Sequence, residues 1–178
     1  MDKRVLHKLR FPVGTYSPGD DIGIDEVASW IQDIKDLPSN VKLVVADATE
    51  NDLANTYRPG SWTAKQVVHH LADSHINAYV RMKRTLTEDV PTIHPYEEKQ
   101  WAMMDDVKLL PIETSLTILS GIHERLSVTI ADLSIKQLSR EYMHTDFDKP
   151  MSMAYLIGMY AWHGRHHTEH LRLALGKV

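Results

Sequence analysis

His163, His166, His167 and His170 fall within eight consecutive positions of a 178-residue chain with eleven histidines in all. The flanks, 151–161 and 171–175, are rich in apolar residues without strand-like alternation, and Gly176 stands where a helix C-cap is expected. The spacing predicts a helix. On it His163 and His167 are four apart and His170 is three beyond His167. All three imidazoles then rise from one face about a turn apart, the spacing at which two can share one cation. The bland alternative is an exposed helix face that happens to be rich in histidine.

The rest of the chain reads as further helices. A pattern opens at Ile24, with Asp25 as N-cap and stripes on Val27, Trp30, Ile31 and Ile34, then Val41, Val44, Val45 and Ala48. Pro38 lies between the stripes, predicting one kinked helix or two abutting ones. Thr63-Ala64-Lys65-Gln66 is a capping box opening a helix to about Leu86. A third helix fits 113–132, and Ser134 to Gln137 heads a short helical piece. Residues 88–111, with Pro91, Pro95 and Pro111, form a long crossover, the kind of connection that usually covers a site. Residues 140–150 read as a loop or small hairpin, and residues 1–23 as an irregular arm. The expectation is an all-α four-helix bundle forming a single domain over 1–178.

Composition narrows the function. Twenty Lys and Arg against 24 Asp and Glu give a net charge of −4 with no basic block, which leaves nucleic-acid binding little electrostatic support. The absence of cysteine excludes disulfides, cysteine-ligated zinc and a cysteine nucleophile. Any thiol in the chemistry must therefore come from a substrate. No apolar segment follows the basic start, and the apolar run 153–162 is too short to span a bilayer. A soluble cytoplasmic protein with no membrane partner is expected.

The helix opened by Thr63 carries His70, Asp73, Ser74, Asn77 and Arg81 along one stripe. Solvent exposure is one explanation. The other is a site facing the bundle interior, with one histidine from this helix and two from His163 and His167. Periodicity does not by itself choose between His69 and His70, but His70 shares its stripe with Val67, Leu71 and Ser74 and is preferred. Three nitrogen ligands leave a position open for water or substrate, as in catalytic zinc sites.

Gly60-Ser61-Trp62-Thr63, the helix from Gln66 to His75, and the ending Tyr160-Ala161-Trp162-His163-Gly164-Arg165-His166-His167 resemble the DinB superfamily. More narrowly they resemble its YfiT group of metal-dependent hydrolases, which includes bacillithiol S-transferases. Phe11-Pro12-Val13-Gly14 and Pro95-Tyr96-Glu97-Glu98-Lys99 extend the likeness over nearly the whole chain. The resemblance implies a four-helix bundle, a homodimer, and a divalent metal, zinc before nickel, on His70, His163 and His167. It leaves His69 and His166 as supporting or surface residues, and His170 as either a substrate contact or a solvated residue. Asp73 is a candidate to orient a ligand imidazole or assist proton transfer.

Two function classes follow. One is an enzyme that activates a nucleophile at the open metal position. It would transfer a low-molecular-weight thiol such as bacillithiol to an electrophile or, as the runner-up, hydrolyse a substrate with activated water. Arg81, Arg84 and Arg165 are then candidates to receive a carboxylate or phosphate. The other class is a non-catalytic metal- or ligand-binding stress protein.

Overall fold

The computed structural model describes residues 2–19 and 22–177; Met1, Asp20, Asp21 and Val178, with their share of the expected arm, lie outside it. In chain order the elements are α1 (Lys3–Arg10), α2 (Ile24–Val45), α3 (Glu50–Leu53), α4 (Ala64–Thr87), β1 (Thr92–Ile93), α5 (Glu98–Trp101), α6 (Asp105–Leu109), α7 (Ile112–Ile130), α8 (Ile135–Leu138), β2 (Glu141–His144), β3 (Met151–Ser152) and α9 (Met153–Leu175). Helices α2, α4, α7 and α9 form a four-helix bundle, as expected. The strands make one small sheet in which β2 pairs parallel with β1 and antiparallel with β3. The hairpin reading of 140–150 thus holds, with β1 added to it.

Local chemistry accounts for most boundaries. Thr63 and Gln66 close a capping box at the start of α4, and Ser134 with Gln137 does the same for α8. Gly176 adopts φ 64°, the left-handed conformation that ends α9 at little steric cost. The arm departs from expectation. Asp2 accepts a hydrogen bond from the Arg4 amide and starts α1, an exposed helix that the nearby Pro12 and Gly14 had obscured. The arm is tied down by Trp162 Nε1, which donates to the Gly14 carbonyl at 3.0 Å, and by Tyr16 Oη, which donates to the Tyr155 carbonyl at 3.0 Å.

Two apolar clusters fill the ends of the bundle. One joins Val27, Trp30 and Ile34 of α2 to Ala78 and Met82 of α4, Leu126 and Ile130 of α7, and Leu156 and Ile157 of α9. The other joins Leu37 and Val41 to Val67 and Leu71, Leu116 and Leu119, and Leu171 and Ala174. The first halves of α2 and α9 therefore meet the second halves of α4 and α7. So α2 and α9 run one way, and α4 and α7 run the other.

Helix α4 packs on both α7 and α9, and α2 packs on the same two. Consecutive long helices α4 and α7 are thus parallel neighbours. Before α7 can begin, the chain must travel back the length of α4, about 36 Å for 24 residues at 1.5 Å each. Residues 88–111 make that return, and they pass over the middle of the bundle.

That middle, between the two clusters, is a layer of histidines. Helix α4 contributes His70 and His75, α7 contributes His123, and α9 contributes His163, His166, His167 and His170. Helix α2 contributes no histidine. It runs as one helix through Pro38 rather than as two. Close approach of α9 to α2 uses Gly158 and Gly164: a Cβ on Gly158 would lie 2.6 Å from the Trp30 ring, and one on Gly164 2.8 Å from Leu37.

Candidate metal centre

His70, His163 and His167 each bring a ring nitrogen within 4.8 Å of the other two. Nε2 of His70 and Nε2 of His163 are 3.2 Å apart. Two nitrogens bound tetrahedrally at 2.0–2.1 Å from a zinc ion would stand about 3.3–3.4 Å apart, so this pair already has the spacing of shared ligands. The chemistry of the set also fits. Burial lowers His70 to about 4 and holds His163 and His167 well below the ordinary histidine value. All three are neutral near pH 7, as ligands must be.

Each imidazole has its own support. The Tyr96 hydroxyl lies 3.5 Å from His70 Nδ1, and Trp62 packs on the same ring with centroids 4.6 Å apart. His163 Nδ1 lies 3.4 Å from His75 Nε2, and His75 Nδ1 lies 2.9 Å from His123 Nε2. His167 Nδ1 lies 3.4 Å from His170 Nδ1, while Tyr57 stacks flat on His170 at 3.7 Å. Loss of such supports around a metal typically costs 10–100-fold in affinity.

The polar stripe of α4 divides. His70 and Ser74 are buried, Arg81 donates to the Tyr160 hydroxyl and the His94 carbonyl, and Asp73 and Asn77 are half-buried. Asp73 makes no hydrogen bond to any of the three imidazoles among the described residues. The orienting role expected of it falls instead to Tyr96, His75 and His170. Burial, and then the charge of Asp106, raises the Asp73 carboxyl to about 6.

Arg165 is a correction. It ion-pairs with Asp33 of α2, because a residue two places from His163 and from His167 lies about 200° around the helix from each. Arg84 is likewise held at Glu88 and the Thr92 carbonyl. His170 is 2% exposed, which removes the solvated reading. His69 is buried against Ser115 Oγ at 2.8 Å, and His166 is buried and stacked on Trp162.

Two cavities reach this centre from either side of the crossover, and Glu98 and Lys99 wall both. The first, about 460 Å³, is lined by His163, Ser74, Arg81, Tyr96 and Tyr160. The second, about 330 Å³, is lined by His167, His170, Tyr57, Trp62, Arg58 and Arg10. On the residues of the second cavity, three buried nitrogens have no partner among the described residues: Arg58 Nε, His166 Nδ1 and His170 Nε2. Sequence reasoning missed Tyr57 and Arg58, which lie in a connection with no periodicity, and Arg10, which ends the unexpected helix α1.

The structure is a four-helix bundle with a group of three histidines that could hold a metal ion. The DinB superfamily model matches residues 33–171, and the chain belongs to that superfamily. A protein of Bacillus cereus (strain AH820) named "Putative metal-dependent hydrolase" is 41% identical over 166 residues, 93% of this chain and 95% of its own length. A Bacillus anthracis protein of the same name matches equally well. Among solved structures, YfiT from Bacillus subtilis superposes with a TM-score of 0.91 at 36% identity, covering 96% of this chain and 97% of its own. It is described as "a probable metal-dependent hydrolase with an unusual four-helix bundle topology".

Proposed function

We propose that the chain is a metal-dependent enzyme that joins a small acidic thiol to an electrophile. The observation that carries this reading is the pair of cavities meeting at one centre. Hydrolysis needs one organic substrate, whereas conjugation needs two, each with its own approach. His70, His163 and His167 would hold a divalent ion, zinc in the first instance. When bound, that ion supplies the positive charge that keeps a thiol deprotonated near neutral pH.

The second cavity suits the thiol. Arg58, Arg10 and Lys99 give it positive character, which suits a carboxylate or phosphate. The first cavity suits the electrophile, with Arg81 holding the His94 carbonyl at its rim. In the reaction the sulfur–carbon bond forms and the bond to the leaving group breaks. With a chlorinated aromatic, chloride and the thiol proton leave to solvent. No protein nucleophile is required.

The test is a parallel assay of the zinc-loaded protein. Conjugation of 1-chloro-2,4-dinitrobenzene with several biological thiols is compared with hydrolysis of simple esters and amides. Conjugation that vanishes on chelation and returns with Zn²⁺ or Ni²⁺ supports the proposal. Ester turnover without thiol, and no conjugation with any thiol, would replace it with the hydrolase reading, which the names of the relatives favour.

Self-association into a homodimer belongs to the same proposal. Of the four tryptophans, Trp30 is buried and Trp62 and Trp162 pack on histidines, which leaves Trp101, 39% exposed, to offer apolar surface. Leu109 and Val128, each 79% exposed, are better candidates. Light scattering that reports a monomer at micromolar concentration would rule it out. No helix among the described residues is long and apolar enough to cross a membrane.

A further inference from the structure

Three of the four long helices put histidines into the middle layer, and the fourth puts in a carbonyl. In an α-helix the carbonyl of residue 34 accepts from the amide of residue 38. Residue 38 is proline and has no amide hydrogen, so the Ile34 oxygen is left free inside the bundle. His123 Nδ1 lies 2.5 Å from it.

A carbonyl can only accept, so His123 Nδ1 carries the hydrogen. His75 and His123 are 0% and 1% exposed, and among the described residues no carboxylate is hydrogen-bonded to or ion-paired with either ring, so each sits in the layer as a neutral imidazole. A neutral imidazole has one N–H and one lone pair. His123 Nε2 is therefore an acceptor, and His75 Nδ1, 2.9 Å away, must donate to it. His75 Nε2 is then an acceptor in turn, and His163 Nδ1, 3.4 Å away, donates to that. The lone pair of His163 is left on Nε2, the atom that faces His70.

We propose that Pro38, through the freed Ile34 carbonyl and the imidazoles of His123 and His75, sets the tautomer of His163 so that its Nε2 lone pair is ready for a divalent ion. Pro38, His75 and His123 are positioning residues; none of them reaches the shared centre. The inference needs the three-histidine centre but not the thiol reaction, so it stands or falls separately from conjugation activity.

Ring-nitrogen NMR of the labelled, metal-free protein at pH 7.5 reads the tautomers directly. His123, His75 and His163 should all be in the Nδ1–H form. Zinc affinity, measured by competition with a chelating dye, should fall about tenfold or more in His123→Met. Glutamine at 123 can donate to the Ile34 carbonyl and accept from His75, so His123→Gln should stay within about threefold of wild type.

Pro38→Ala gives the Ile34 carbonyl back its amide and should weaken zinc binding while raising the melting temperature, because a helix-interior proline is removed. A merely structural role would move stability and affinity together. An Nε2–H signal from His163 in the wild type would overturn the proposal. So would a Pro38→Ala protein with unchanged tautomers and zinc affinity. If His123→Met does not fold, Pro38→Ala and His123→Gln still decide.

Discussion

His163 and His167 stand one turn apart on α9, yet each walls a different cavity: His163 the one with Arg81 and Tyr96, His167 the one with Arg58 and Tyr57. His70 reaches across from α4 to face both rings, with centroids 5.2 and 4.8 Å away. The centre is therefore approached from two sides, and the crossover between α4 and α7 separates the approaches.

The purified protein is expected to carry about one divalent transition metal per chain by elemental analysis. His70→Ala, His163→Ala and His167→Ala should each lose most of it. His166→Ala should keep it, since His166 is stacked on Trp162 outside the trio. A His166 variant that loses metal while His167→Ala retains it would reverse the assignment of facing.

Acid should destabilise the metal-free protein through the histidine layer. Burial lowers His70, His123 and His166 to about 4, and burial together with the neighbouring His166 lowers His170 to about 3, all from 6.5. The unfolded chain takes up these protons as pH falls through 6.5, whereas the folded chain does not until about 4 or below. The unfolded state binds more protons in that window, so stability is complete above 6.5 and declines toward pH 4. Each ring contributes at most about 1.4 kcal/mol per pH unit, less where solvent screens it. Asp73, raised to about 6 from 3.8, acts in the opposite sense, but it is one carboxyl against a layer of imidazoles. The urea midpoint should be lower at pH 5.0 than at pH 7.5; equal midpoints would contradict this account.

Two glycines should respond oppositely to alanine. At Gly158 the new Cβ would meet the Tyr16 hydroxyl and the rigid Trp30 ring, so Gly158→Ala should destabilise by about 1–3 kcal/mol. At Gly121, on the exposed face of α7, nothing lies within 4 Å, and Gly121→Ala should stabilise by up to about 1 kcal/mol. Chemical denaturation checks both, and the same sign for the two would disprove the packing argument.

Arginines should also separate. Arg165→Ala removes a partly exposed pair with Asp33, worth about 0–1 kcal/mol, and should leave metal content and turnover unchanged. Arg81→Ala frees the Tyr160 hydroxyl and the His94 carbonyl at the mouth of the first cavity, and turnover should fall about tenfold, the loss of a hydrogen bond to a charged group. Equal effects of the two would mean that the first cavity is not used.

Helical spacing made His70, His163 and His167 legible, because ligands shared between two helices must lie on facing stripes. The same rule hid His75. It lies five residues from His70, about 140° around α4, and meets His163 from the side. His123 is spaced with Leu116, Leu119 and Leu126 along the buried face of α7, where a histidine looks like one more core position; only the free carbonyl of another helix gives it a second task. Pro38 was visible as an interruption, but its consequence needs α7 packed against α2. The parallel placement of α4 and α7 was not legible either, since periodicity shows which face is buried and not which neighbour buries it.

The return between those two helices has a minimum length. An extended chain covers about 36 Å in roughly eleven residues, while 24 residues separate Thr87 from Ile112. About half of the connection is therefore surplus to the traverse, and Glu98 and Lys99, which wall both cavities, belong to this connection. Substitution, lengthening or trimming there would reshape both entrances while leaving every helix of the bundle in register. The crossover is the part of this chain where selectivity for a reactant could be rebuilt without touching the ligands.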